Sequence, residues 1–163
     1  MIVLMAGLPG TGKSTLCRAL DGVVLDKDII RVALFGSEIE YSTGQDDFCM
    51  QIMLETAGYI LNKDPSRFVF LDGRPFSKRY QIDQVIAAAG GIDQPWRILE
   101  CVCSEDTARR RLEDQLGHPA GDRDYQMYLR VKAGFEEIAF PKTVIDTEQT
   151  IEACVALALA ALR

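Results

Sequence analysis

Gly7-Leu8-Pro9-Gly10-Thr11-Gly12-Lys13-Ser14 is the stretch that decides how this chain reads. It fits the pattern G-x-x-x-x-G-K-[ST]. An apolar run suited to a buried strand, Ile2–Ala6, precedes it, and a helical pattern over 13–20 follows it. Strand, glycine loop and helix in that order make a phosphate-binding loop. Gly7, Gly10 and Gly12 let the backbone wrap inward, with its N–H groups facing a polyphosphate. The helix behind the loop aims its positive end at the same charge. Lys13 reaches the outer phosphates, and Ser14 offers its hydroxyl to Mg²⁺. The residues read as nucleotide-binding are therefore Gly7, Leu8, Pro9, Gly10, Thr11, Gly12, Lys13, Ser14 and Thr15.

Outward from the loop, four more apolar runs suit parallel strands, at 23–25, 68–71, 98–102 and 144–145. Helical patterns lie between them. Residues 28–35 end at Gly36, and 46–61 place Phe48, Cys49, Ile52, Met53, Tyr59 and Ile60 on one face. Residues 77–89 stop at Gly90-Gly91. Ser104 caps a helix running to Leu116, and 124–138 carry Tyr128, Leu129, Phe135 and Ile138. Strand followed by helix, repeated, predicts one α/β domain over 1–163: three layers, with a five-stranded parallel sheet covered by helices on both faces. Ligands on such sheets bind at the carboxyl ends of the strands.

The chain has 163 residues, enough for a sizeable single core, with 48% hydrophobic and 26% charged residues. Its formal net charge of −6 argues against a broad nucleic-acid footprint. A small basic pocket admitting one phosphorylated end stays compatible with it. The five cysteines, Cys17, Cys49, Cys101, Cys103 and Cys154, are scattered, and His118 has no cysteine pair near it. Reduced thiols and a cytoplasmic setting are expected, without structural zinc. Met1 to Ala6 runs straight into the glycine loop and reads as a strand, not an export signal. The apolar stretch 153–162 is too short to span a bilayer and reads as a helix packed on the sheet. No membrane partner is expected. Trp96 reads as packing and His118 as a loop residue.

A phosphate loop that holds Mg²⁺ needs a carboxylate at the end of a buried strand. Asp72 closes the run Phe68-Val69-Phe70-Leu71 and is the candidate, with Ser14, for the metal; its alternative role is to cap the next turn. Asn62-Lys63-Asp64 has neither the spacing nor the position of a guanine-reading N-K-x-D, and Asp72-Gly73 does not supply D-x-x-G. ATP is therefore the expected nucleotide.

After the second strand comes Asp26-Lys27-Asp28-Ile29-Ile30-Arg31, a D-x-D-x-x-R segment placed near the outer phosphate. Asp28 and Arg31 share a helix face. In one reading Asp28 takes the proton of an acceptor hydroxyl while Arg31 holds an anionic or polar part of the acceptor. In the other the two form a salt bridge on a solvated helix.

The loop, this segment, the strand-end aspartate and a later arginine-bearing helix together resemble the small P-loop kinases. That group includes the kinase domain of phage polynucleotide kinase, the zeta-toxin-like kinases, chloramphenicol phosphotransferase, and the gluconate and shikimate kinases. The resemblance follows the element order of nearly the whole chain. It implies Asp28 as general base and Arg31 on the acceptor's phosphate. Asp72-Gly73-Arg74-Pro75 is also similar to the D-G-F-P-R of adenylate kinases, with the arginine before the proline instead of after it. The resemblance further implies a lid, here around 109–124, that brings arginines to the transferring phosphate. Arg109, Arg110 and Arg111 stand at its start. Arg109 has Glu113 and Arg110 has Asp114 four residues on, as ordinary surface pairs would. Arg111, the least committed locally, matches the first member of an R-x-x-x-R pair whose second position is Gln115, and Arg123 beyond the loop is the substitute candidate. Arg111 is thus grouped with Lys13, Asp28 and Arg31 as catalytic, and Arg109 with the nucleotide.

The function expected from these features is transfer of the γ-phosphate of ATP-Mg²⁺ to a hydroxyl of a small molecule or nucleotide 5′ end. A nucleoside-monophosphate kinase and a nucleotide-dependent switch without an acceptor are the alternatives.

Overall fold

Apolar residues on both faces of a strand require cover on both sides, and β1 (Ile2–Ala6) is completely buried. The computed structural model describes residues 1–114 and 124–163. Around β1 stand β2 (Val23–Asp26), β3 (Val69–Asp72), β4 (Trp96–Val102) and β5 (Thr143–Asp146), all parallel, in the order β2-β3-β1-β4-β5. The middle position of β1 puts its carboxyl end, and the loop after it, at the centre of the ligand-binding edge.

Alternate residues of β1 enter two separate cores. Ile2, Leu4 and Ala6 meet α3 (Thr43–Lys63) and α4 (Arg79–Gly91) through Met53, Ala57, Ile82 and Val85. Val3 and Met5 meet α1 (Lys13–Ala19) and α7 (Ile151–Ala161) through Leu16, Cys17, Cys154 and Ala158. The three-layer α/β P-loop fold follows from this alternation, because a side-chain period of two on a central strand feeds both layers equally. A smaller cluster of Ala108, Leu112 and Tyr128 joins α5 (Glu105–Glu113) to α6 (Tyr125–Ala133) and packs against Leu8 of the glycine loop. Helix α2 (Lys27–Phe35) follows β2 directly and runs into a 3-10 turn, Gly36–Glu38.

Several details depart from the sequence reading. Phe48 and Tyr59 of α3 are exposed; the buried stripe is Cys49, Met53, Ala57 and Leu61, four residues apart, with Met50 beside it. Gly90 and Gly91 lie inside α4, since glycine weakens a helix by only about 1 kcal/mol relative to alanine. On α6, Leu129 is exposed, and the helix stops before Gly134, so Ile138 reaches the core from the following segment. Ser104 and Asp124 are caps, accepting from the N–H groups of Thr107 and Met127. The expectations resting on Gln115, Leu116, Gly117, His118 and Arg123, and most of the lid, fall outside the described residues. No helix among the described residues is long and apolar enough to cross a membrane.

Candidate active site

The glycine loop is compressed between its neighbours. A Cβ on Gly7, at φ +127°, would lie 2.2 Å from the carbonyl oxygen of Cys101 on β4. A Cβ on Gly10, at φ +77°, would lie 2.7 Å from that of Ala108 on α5. Only glycine fits either position. The buried Lys13 ammonium donates to the carbonyls of Gly7 and Leu8, both at 2.8 Å, which holds it across the mouth of the loop. The Thr11 hydroxyl closes the loop on the Leu8 carbonyl at 2.7 Å.

One cavity of about 310 Å³ opens from this loop. Its lining holds Pro9, Lys13 and Ser14 of the loop and helix α1, Asp72 and Arg74 at the end of β3, and Lys27, Asp28 and Arg31 of α2. Both sequence-derived pairs are thus brought together across a single space. Asp72 is buried, and its Oδ1 has no hydrogen-bond partner among the described residues. An orphaned carboxylate oxygen sharing a cavity with the Ser14 hydroxyl is an oxygen donor set that Mg²⁺ would fit.

Asp28 and Arg31 are both buried, not part of a solvated surface. Asp28 Oδ1 accepts from Arg31 Nη1 at 3.3 Å and lies 3.0 Å from the Lys27 ammonium. Asp46 of α3 extends the network: its Oδ1 accepts from Lys27 at 2.9 Å and pairs with Arg31 Nη2. The Arg31 guanidinium also lies over the Tyr41 ring, 5.2 Å from its centroid. Tyr41 itself adopts φ +52°, a left-handed conformation that is strained for an aromatic residue and that recurs at ligand sites. Burial pushes the Lys27 ammonium below its ordinary pKa, opposed by Asp28 and reinforced by Arg31.

Asp26, the other acid of the segment, caps α2 by accepting from the N–H groups of Asp28 at 2.9 Å and Ile29 at 3.3 Å. It stands beside Asp72 in the β2–β3 register. Burial, then Asp72 and Asp28, raises its pKa.

The three arginines of α5 separate. Arg109 is exposed, paired with Glu113 at 2.9 Å and stacked over Tyr125. Arg110 is exposed. Arg111 donates to Thr147 Oγ1 at 2.9 Å and to the Thr147 carbonyl at 2.8 Å. Thr147 in turn donates to the carbonyl of Thr11 at 2.9 Å. Arg111 therefore lines a second cavity of about 390 Å³ with Gly12, Thr15, Thr147 and Gln149, and not the space that holds Asp28.

Sequence reasoning missed Lys27, Asp46 and Arg74. Lys27 lay inside the quoted segment, and its burial was the missing information. Arg74 lay inside the Asp72-Gly73-Arg74-Pro75 match without being given a role there, and Asp46 carries no local signal, since its partners are remote in sequence.

A central parallel strand leading into this loop, with a lysine across its mouth and a strand-end aspartate beside it, defines the P-loop nucleoside-triphosphatase fold. The chain belongs to the AAA domain family, whose model matches residues 2–138. No curated protein shows significant sequence similarity to it. Among solved structures, the Mycobacterium tuberculosis APS kinase CysC, in complex with AMPPNP and APS, is similar at TM-score 0.71 and 13% identity, over 99% of this chain and 96% of that one. A sugar kinase from Janibacter is similar at TM-score 0.70 and 17% identity, over 99% and 93%. Kti12 from Chaetomium thermophilum, in complex with ADP-AlF3, is similar at TM-score 0.70 and 14% identity, over the whole of both chains. At these identities the likeness is one of fold.

Proposed function

We propose that this protein is an ATP-dependent kinase that transfers the γ-phosphate to a hydroxyl of a small molecule or nucleotide end. The observation that carries the reading is the shared cavity, lined by Lys13, Ser14 and Asp72 on the phosphate side and by Asp28 and Arg31 on the acceptor side. The AMPPNP and ADP-AlF3 bound to two structural neighbours support an adenine nucleotide. The D-x-D-x-x-R segment supports the likeness to the zeta-toxin and polynucleotide-kinase group within the family.

In this mechanism the loop amides and Lys13 hold the outer phosphates. Ser14 and Asp72 are the residues that would hold Mg²⁺, which would supply neutralisation of phosphate charge. The acceptor oxygen forms a bond to the γ-phosphorus as the bond to the bridging β–γ oxygen breaks, and ADP leaves. Asp28 takes the hydroxyl proton, and Arg31 orients both Asp28 and the acceptor. Arg111, which shares a cavity with Thr15 and Gln149, neutralises phosphate charge from the nucleotide side, and Arg109 of the same helix is the further nucleotide contact. The decisive experiment is a screen for ADP release with pooled alcohols and nucleoside monophosphates. Alcohol-dependent release supports the proposal. Release with monophosphates alone favours a nucleoside-monophosphate kinase, and release without any acceptor favours a switch.

A further inference from the structure

Helix α7 is apolar on the side that faces away from the sheet. Between Glu152 and Arg163 the chain runs Ala153-Cys154-Val155-Ala156-Leu157-Ala158-Leu159-Ala160-Ala161-Leu162, without a single charge. Cys154, Ala158 and Leu162 point inward and join Leu16, Cys17 and Ile145 in the core on that face of the sheet. The outer side is bare among the described residues. Leu157 is 43% and Leu159 41% exposed, and Ala156 and Ala160 are exposed beside them. Scattered exposed leucines are ordinary, but a surface helix normally turns charged and polar residues outward. One that is apolar all round is covered on both sides, and a contiguous apolar face marks an interface.

The order of residues along that face identifies the cover. Glu152, Ala156, Leu159 and Arg163 are all exposed, and they are spaced four, three and four residues apart. At about 100° per residue they fall within roughly 60° of one another, as one stripe along the helix. The same spacing forms the seam of helices that pack at about 20°. Read backwards, the stripe is its own complement. In an antiparallel copy related by a two-fold axis between Leu157 and Ala158, Glu152 stands opposite the partner's Arg163. Ala156 then stands opposite the partner's Leu159, and both matches recur on the other side of the axis. Charge meets opposite charge at each end, and a large side chain meets a small one at each inner position. The helix dipoles also oppose, and the two-fold closes the assembly at two copies. A parallel pair in register would set Glu152 on Glu152 and Arg163 on Arg163. Neither of these side chains has a hydrogen-bond or ion-pair partner among the described residues, so both are available.

We propose that this protein forms a homodimer in which the α7 helices pack antiparallel through Glu152, Ala156, Leu159 and Arg163. The inward side of α7 carries Cys154, which borders the cavity beside Arg111, so the dimer leaves the two cavities of each copy open. A seam of one eleven-residue helix is smaller than a standard interface, and the dimer is therefore reversible in the micromolar range. The inference is independent of the kinase reading, because its readout is association and not turnover.

Sedimentation velocity across micromolar concentrations tests it on the whole chain. The wild-type protein should pass from monomer to dimer and no further. Leu159→Glu should leave monomer alone. Glu152→Arg and Arg163→Glu each set like charges at both ends and should weaken association by about tenfold or more. An equimolar mixture of these two variants restores opposite charges at both ends, so it should associate about as tightly as wild type. The substituted positions are exposed, and at monomeric concentrations the melting temperatures should match. Should Leu159→Glu misfold, the charge variants and their mixture decide the matter. A wild-type protein that stays monomeric throughout overturns the inference. So does a dimer that Leu159→Glu leaves intact, since another face then forms it. Failure of the mixture to recover association overturns the antiparallel register, and the proposal with it.

Discussion

Arg31 donates through Nη1 to Asp28 Oδ1 at 3.3 Å from one turn further along the same helix, and both side chains are buried. A surface pair of this spacing contributes little, whereas a buried one fixes a carboxylate in place. The carboxylate so fixed faces the cavity that also holds Lys13 and Ser14. Asp28→Asn is nearly isosteric but accepts no proton. It should leave ATP-Mg²⁺ binding close to normal and lower transfer by about 10²–10⁴-fold. Arg31→Ala should raise the acceptor's KM more than it lowers kcat. Full turnover in Asp28→Asn, together with a mere loss of melting temperature in Arg31→Ala, would reduce the pair to a structural bridge.

Lys13→Ala removes the ammonium that spans the Gly7 and Leu8 carbonyls. ATP affinity should fall strongly and turnover should vanish, as followed by calorimetry and ADP release on the folded variant. Retained affinity would sink the assignment of the loop.

Nucleotide should stabilise the fold by mass action, by about 2.7 kcal/mol at a hundredfold excess over Kd. A thermal shift with ATP or ADP and Mg²⁺ should exceed that with GTP. Asp72→Asn should abolish the Mg²⁺-dependent part of the shift, since the proposed mechanism places the metal on this residue, whose Oδ1 is otherwise unpartnered among the described residues. An unchanged Mg²⁺ dependence would move the metal elsewhere.

Gly7→Ala should be among the most damaging single changes. The added methyl would meet the Cys101 carbonyl at 2.2 Å, in a backbone conformation strained for any side chain. A loss of at least about 1–3 kcal/mol is expected in urea unfolding, together with loss of nucleotide binding. Wild-type stability in this variant would contradict the loop geometry.

Asp26 gives a prediction about pH. Burial and the neighbouring Asp72 and Asp28 raise its native pKa above the ordinary 3.8. Through the window opening just above that value, the native state therefore binds more protons than the unfolded one, and Asp26 makes stability fall as pH rises. Asn is an equally good cap for the N–H groups of Asp28 and Ile29. Asp26→Asn should thus remove that contribution and be at least as stable as wild type at neutral pH, measured by denaturant unfolding across the acid range. A variant that instead loses stability at neutral pH and keeps the wild-type profile would refute the assignment.

The phosphate loop was legible because its chemistry is local: glycines, lysine and serine act at fixed offsets behind one strand. The five strands were legible for a similar reason, since a parallel strand buried on both faces must be a continuous apolar run. The Asp28–Arg31 pair followed from helical spacing alone. What the residues by themselves did not decide was which apolar stripe of α3 faces the sheet, because that helix offers two and only packing chooses Cys49, Met53 and Ala57 over Phe48 and Tyr59. Nor did spacing reveal that Arg111 turns to Thr147 while Arg109 stays at the surface. Arg74 meets Asp47 across 27 residues of chain, and Lys27 meets Asp46 across 19. Such pairs exist only because parallel strands deliver their carboxyl ends, and the turns behind them, to one edge of the sheet. Local sequence rules reach one helical turn or one strand pleat, whereas the charge, burial and unmet donors of the cavity beside the phosphate loop arise from segments that the fold alone brings together.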